Sequence, residues 1–209
     1  MFANIRNAWR DPAWRMELAV TCAMLVPVLF ALTHFLDWVE RRPGVTLPDP
    51  VLALFPAVNL TWVTFLIIYA GIIAGLLVLM QHPRRLLLVF QAYVVLAIFR
   101  MAAMYLAPLE PPPGIIELRD PFVEFFGAGK PFTRDLFFSG HTSTTFLLFL
   151  VIPGGRLRIA YACATLLVGL CVVFQHVHYT VDVVAAPFFA YGAYSLALGI
   201  CKRRGIVVN

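Results

Sequence analysis

Charged side chains are scarce in this chain. Only 13% of its 209 residues are Asp, Glu, Lys or Arg, against about 25% in an ordinary soluble domain. Hydrophobic residues make up 61%. A water-soluble fold of this size has too little interior for so much apolar surface, so lipid is the expected solvent.

Cysteine is scarce too. Cys22, Cys163, Cys171 and Cys201 sit inside or at the edge of apolar runs, with no CxxC pair. That excludes metal-finger spacing, and they read as small hydrophobes. The net charge of +5 does not imply nucleic acid: the basic residues cluster beside apolar runs and line no polar face. No internal repeat is evident. The apolar stretch after the basic N-terminus is too long for a signal-peptide core and lacks a small-x-small cleavage site, so it is expected to stay as a membrane helix.

What is present is a series of apolar runs. A spanning helix needs about 20 mostly apolar residues, and six candidates emerge, near 17–36, 58–80, 84–106, 138–152, 156–175 and 179–201. The expected fold is an all-α membrane protein of six transmembrane helices, with residues 1–209 forming a single polytopic membrane domain. The fourth candidate is short and spans only if it starts near Asp135. Pro27 and Pro187 are expected to kink their helices. Gly71 and Gly75 form a GxxxG pattern that permits close helix contact, and a homo-oligomer stays open.

Orientation follows the basic residues. Arg6, Arg10, Arg15, Arg84, Arg85, Arg156, Arg158, Lys202, Arg203 and Arg204 fall on one side. Arg41, Arg42, Arg119, Lys130 and Arg134 fall on the other, in loops that also hold eight acids. The first side is expected to be cytoplasmic, with both termini there. The long extracytoplasmic loop 107–137 carries Phe122, Phe125, Phe126 and Phe132 among charges, which suits an interfacial segment as well as a plain connector. A short chain without targeting extensions points to a bacterial inner membrane.

Ionisable groups inside spans are costly and call for a physical cause. "SGHT" (Ser139 to Thr142) opens the fourth span, and "HYTVD" (His178 to Asp182) opens the sixth. His178 and Asp182 are four apart and share a helix face. Arg100 lies six residues from the outer end of the third span, about 9 Å down, close to the depth of Asp182. A carboxylate that takes the proton of one imidazole nitrogen leaves the other as a lone pair for attack on an electrophile. A second imidazole can protonate the leaving group. Ser139 is a candidate N-cap, Gly140 and Thr142 lie at a helix start that favours an anion, and Arg100 offers a planar fork to phosphate. The pattern points to a phosphate pocket on the outer side with catalytic residues His141, His178 and Asp182.

The same side chains admit different roles. His178–Asp182 can be a structural contact and Arg100–Asp182 a buried ion pair. His141, His178 and Asp182 also match a two-His-one-carboxylate metal set. His34 and His176 read as solvated or interfacial, and His82 lies in a turn on the opposite side. A non-enzymatic transporter or scaffold is disfavoured, because the spans below Asp182 and Arg100 are nearly apolar.

At these residues the chain resembles the sphingomyelin synthase family, a branch of the type 2 phosphatidic acid phosphatase superfamily. "SGHT" and "HYTVD" resemble its paired motifs. Arg84-Arg85 followed by Arg100 to Gly114, with "LEPPPG", resembles its second motif, and "LPDP" at 47–50 its first. The likeness covers about residues 45–195. It implies six spans, no metal and no cofactor. It also implies that His178 attacks the phosphorus of a phospholipid headgroup, that Asp182 orients it, and that His141 protonates the departing alkoxide. The headgroup then passes to ceramide, diacylglycerol or water. Asp135 and Tyr179 join Arg100, Ser139, Gly140 and Thr142 as candidate phosphate-binding residues. Two departures stand out. The family's third motif commonly begins Cys-Gly-Asp, whereas this chain has Thr133-Arg134-Asp135. The Lys-x₆-Arg-Pro motif of the broader lipid phosphatases is missing, which favours the transferase branch. A lipid phosphomonoesterase acting on phosphatidate or a polyprenyl diphosphate is the alternative activity.

Overall fold

The computed structural model describes residues 3–119 and 132–203. Phe122, Phe125, Phe126, Lys130 and Arg204 lie outside these, and with them most of the expected interfacial segment. The described residues form seven α-helices: α1 (Ala3–Ala8), α2 (Pro12–Arg41), α3 (Thr61–Leu79), α4 (Pro83–Leu106), α5 (Gly140–Val151), α6 (Arg156–Phe174) and α7 (Thr180–Arg203). A single 3₁₀ turn, Leu52–Leu54, precedes α3.

Five helices, α2, α3, α4, α6 and α7, are long and apolar enough to cross a membrane. The fourth expected span is the exception. α5 has 12 residues, which rise about 18 Å, against about 30 Å of hydrocarbon. It starts at Gly140 and not near Asp135, because the residues before it are held in side-chain and carbonyl contacts off the helix axis. α1, at 6 residues, and the Leu52–Leu54 turn, at 3, are too short to announce themselves in the sequence.

α4 is the central helix, packed against α2, α5 and α7. Its buried Leu88, Ala92 and Leu96 share a core with Leu147 and Leu148 of α5 and Ala186, Ala190, Ala193 and Ala197 of α7. The alanine spacing of three and four residues puts a stripe of small side chains on one face of α7, and small residues let helices approach closely. The GxxxG pair of α3 meets α6: a Cβ on Gly75 would lie 2.9 Å from the Tyr161 hydroxyl, which donates to the Gly71 carbonyl at 2.5 Å. The outward faces are apolar, with Leu66, Phe30 and Phe188 exposed.

The two ends of the bundle are tied separately. At one end Arg84 pairs with Asp11 and Glu17, Arg85 donates to the Val151 carbonyl at 3.0 Å, and Ile200 lines a cleft with Met16 and Glu17. The start of α2 and the end of α7 thus share this Arg-rich end. At the other end Gln175, fully buried, accepts from Leu60 N–H at 2.9 Å and donates to Thr61 Oγ1 and the Ile116 carbonyl. One amide therefore joins the start of α3, the loop after α4 and the end of α6, next to the candidate site.

Candidate active site

Two helix starts meet at this second end. Ser139 caps α5: its Oγ accepts from Thr142 N–H at 3.4 Å, and its own N–H donates to the Asp182 carbonyl at 3.1 Å. Ser139 is fully buried. The first N–H groups of a helix have no intrahelical acceptor, so the start of α5 directs donors and the positive end of its dipole toward α7.

α7 begins after Tyr179, which has no short side-chain oxygen to cap with. Two carboxylates supply what it lacks. Asp182 Oδ2 accepts from Tyr179 N–H at 3.1 Å, the return half of a capping box. Asp49, from the "LPDP" stretch, accepts from Thr180 N–H at 2.7 Å and from Thr180 Oγ1 at 3.1 Å. Asp49 also accepts from the N–H groups of Val51 and Leu52. Burial pushes the Asp49 carboxyl up, yet the hydrogen bonds led by that from Thr180 N–H outweigh it and hold the group below its ordinary value of 3.8.

The two imidazoles lie near each other, with Asp182 beside one of them. His178 Nδ1 lies 3.5 Å from Asp182 Oδ2, close enough for a charge contact but not aligned as a hydrogen bond. The rings of His141 and His178 stand edge to face with centroids 6.2 Å apart. Phe65 closes the far side of His141 at 6.1 Å. His178 and Asp182 are buried, whereas His141 is partly exposed.

Arg100 reaches the same place as half of a buried ion pair, the role weighed beside phosphate binding, but with another acid. Its Nη1 donates to the Phe138 carbonyl at 2.6 Å, and its Nη2 is ion-paired with Asp135. Its partner is thus Asp135 and not Asp182. The guanidinium fills the space that a Cβ on Gly140 would need, so Gly140 serves close approach and not backbone freedom. Asp135, a candidate phosphate ligand, is placed instead as the counter-charge that fixes Arg100. The altered third motif has its own anchors. Thr133 donates to Glu40 through N–H and hydroxyl at 2.9 and 2.6 Å. Arg134 pairs with Glu110 at 2.9 Å.

Two candidates point away from the histidines. The side chain of Thr142 faces α6, near Gly169, at the head of an apolar cleft of about 460 Å³. Its Oγ1 is buried and has no hydrogen-bond partner. The Tyr179 hydroxyl donates to the Glu110 carbonyl at 2.9 Å and accepts from Leu47 N–H at 3.2 Å, so it braces loops. His34 is exposed on α2, bonded to the Phe30 carbonyl. His176 corrects the sequence expectation. It is 6% exposed, because it packs on Phe55 and bonds the Pro113 carbonyl in the turn between α6 and α7. Among the described residues no three His, Cys, Asp or Glu side chains form a metal-ligand set, and the His141–His178–Asp182 metal alternative finds no support in the geometry. Asp49, Glu40 and Glu110 are the positioning residues that spacing alone missed. Asp49 and Glu110 each had a signal, as the acids of "LPDP" and "LEPPPG", whereas Glu40 had none.

No curated protein matches the chain. Residues 134–197, which hold Asp135, Ser139, His141, His178 and Asp182, match the family model described as PAP2 superfamily C-terminal. Over that stretch the chain is similar to the type 2 phosphatidic acid phosphatase superfamily, and the match supports a phosphatase or phosphotransferase type of activity in a multi-pass membrane protein.

Proposed function

We propose that the chain cleaves phospholipid headgroups through a phosphohistidine intermediate and passes the headgroup phosphate to a lipid hydroxyl or to water. His178 attacks phosphorus, Asp182 holds the imidazole and balances the charge that develops, and His141 protonates the departing lipid alkoxide. The start of α5 and the Arg100 edge stabilise the phosphoryl oxygens, so positioning and electrostatics carry most of the catalysis. The Arg-rich end of the bundle faces the cytoplasm and the site opens on the other side, periplasmic in a bacterial inner membrane. The observation that carries the proposal is the meeting of His141 and His178 at 6.2 Å, with Asp182 behind His178.

Charge balance favours a phosphodiester donor, as in the sphingomyelin synthase branch that the "SGHT" and "HYTVD" motifs resemble. Arg100 and Arg134, the arginines nearest the start of α5, are already paired with Asp135 and Glu110. A diester brings one negative charge, whereas a terminal phosphate brings close to two. Purified protein given a labelled phospholipid and a labelled phosphatidate tests both points. Faster release from the diester, lost in His178→Ala, is the expected result. Unchanged release in His178→Ala would remove the nucleophile from the mechanism, and preference for phosphatidate would replace the diester activity with a phosphomonoesterase.

A further inference from the structure

The stretch from Pro50 to Pro83 carries no Asp, Glu, Lys or Arg, yet its first part lies outside the long helices. α3 begins at Thr61 and has 19 residues, which rise about 28 Å. That only just matches the roughly 30 Å of hydrocarbon in a bilayer. The start of α3 therefore sits at the hydrocarbon edge, and residues 51–60 sit at or beyond that edge, at the end of the bundle that holds the candidate site.

The side chains of this segment divide. Leu52 is buried, and Phe55 packs on Phe174 and His176. Val51, Leu54 and Val58 turn outward, and Leu54 is 80% exposed. One face is seated on the bundle, and the other is left uncovered among the described residues. The uncovered face continues the outward surface of the spans. Val51 borders one cleft with Leu170 of α6 and Val184 of α7, both exposed, and Trp62, one turn after Val58, is exposed on α3.

The backbone is prepared for surroundings poor in water. Val51 and Leu52 N–H donate to Asp49 Oδ1, Ala53 N–H to the Asp49 carbonyl, Leu54 N–H to the Val51 carbonyl, and Val58 N–H to the Phe174 carbonyl at 2.9 Å. A loop in water needs no such pairing, whereas one facing lipid does.

We infer that Val51, Leu54 and Val58 form an interfacial anchor, immersed in the bilayer at the level where headgroups meet acyl chains. Continuity with the outward faces of α6 and α7 selects lipid over a second copy of the chain as the partner. Asp49 belongs to the same segment, so the lipid surface bears on the residue that caps α7. The inference rests on the multi-pass membrane fold and is independent of the proposed headgroup transfer.

The test uses the full chain with Cys22→Ala and Cys163→Ala, which remove the exposed thiols, in dioleoylphosphatidylcholine vesicles. A nitroxide is attached at Leu54→Cys. Separate proteins carry it at Val58→Cys, at Leu66→Cys on the outward face of α3, and at Glu117→Cys in the loop after α4. Power saturation measures collisions with oxygen, which concentrates in lipid, and with a water-soluble nickel chelate. The Leu54 and Val58 labels are expected to meet oxygen more often and the chelate less often than the Glu117 label, and to approach the Leu66 label. Val58 repeats the reading on a second side chain, in case labelling disturbs the Leu52–Leu54 turn. Chelate contact equal to that at Glu117, at either position, puts the face in water and overturns the inference. Labels shielded from both reagents lie against protein, which replaces lipid with a second copy of the chain and overturns it as well. A Leu66 label open to the chelate overturns the span of α3, and the anchor with it.

Discussion

The backbone N–H of Ser139 donates to the backbone carbonyl of Asp182 at 3.1 Å. This bond joins the residue that caps α5 to the carboxylate residue of α7, and so ties the helix start that carries His141 to the one that follows His178. The rest of the site is fixed around it. Asp49 holds Thr180 from above, and Arg100 holds Phe138 and Asp135 from α4. A carbonyl has two lone pairs, so Asp182 can serve this bond and its own helix.

Asp182→Asn is expected to lower the rate of headgroup release by roughly 10²–10⁴, the range of a positioned acid–base partner. The amide oxygen can still accept from Tyr179 N–H, so the melting temperature should change little. Steady-state kinetics beside a thermal melt checks the split.

Gly140→Ala puts a methyl into the Arg100 guanidinium. That group is buried and bonded on two sides, so it cannot swing away. A loss of about 1–3 kcal/mol in stability is expected from overpacking, together with loss of activity. Denaturant or thermal unfolding against wild type measures it.

Arg100→Ala leaves Asp135 without its counter-charge and the buried Phe138 carbonyl without a donor. The cost should be about 3 kcal/mol, the low end for a broken buried pair, because Asp135 is a quarter exposed. In a double-mutant cycle with Asp135→Asn, the two changes together should cost less than their sum.

Acid should loosen the loops over the site. Glu110 is held below its ordinary value of 4.5 by the Gly44 N–H and then by the Arg134 side chain, against a small effect of burial. Asp49 is lowered as well. A carboxyl with a lowered folded pKa adds stability that is complete above its ordinary value and disappears as pH falls through the lowered one. The melting temperature should hold steady down to about pH 5 and fall below about pH 4. Asp49→Asn should start lower and show a shallower fall, and a pH series of melts on the two proteins tests this.

Much of the site was legible because it is local. His178 and Asp182 share a face by helical spacing, Ser139 caps by its place before "GHT", and α3, α4, α6 and α7 end within three residues of the boundaries that hydropathy set. α5 was not legible in the same way. Hydropathy runs on through Phe137 and Phe138, but a helix begins only where the backbone is released from other duties, and those residues are tied to α4. His176 and Tyr179 were misplaced for a related reason: adjacent residues in a turn point to different neighbours, and spacing cannot say which.

The sequence by itself determined the solvent, the long apolar helices, the basic end and the residue types that can handle phosphate, since all of these follow from composition and periodicity along one segment. Only the tertiary structure decided the partners. Arg100 chose Asp135 over Asp182, Asp49 reached across 131 positions to cap α7, and His176 turned inward. Such pairings depend on which helix ends lie side by side. Buried polar groups must find partners there, because the apolar interior offers no water in their place.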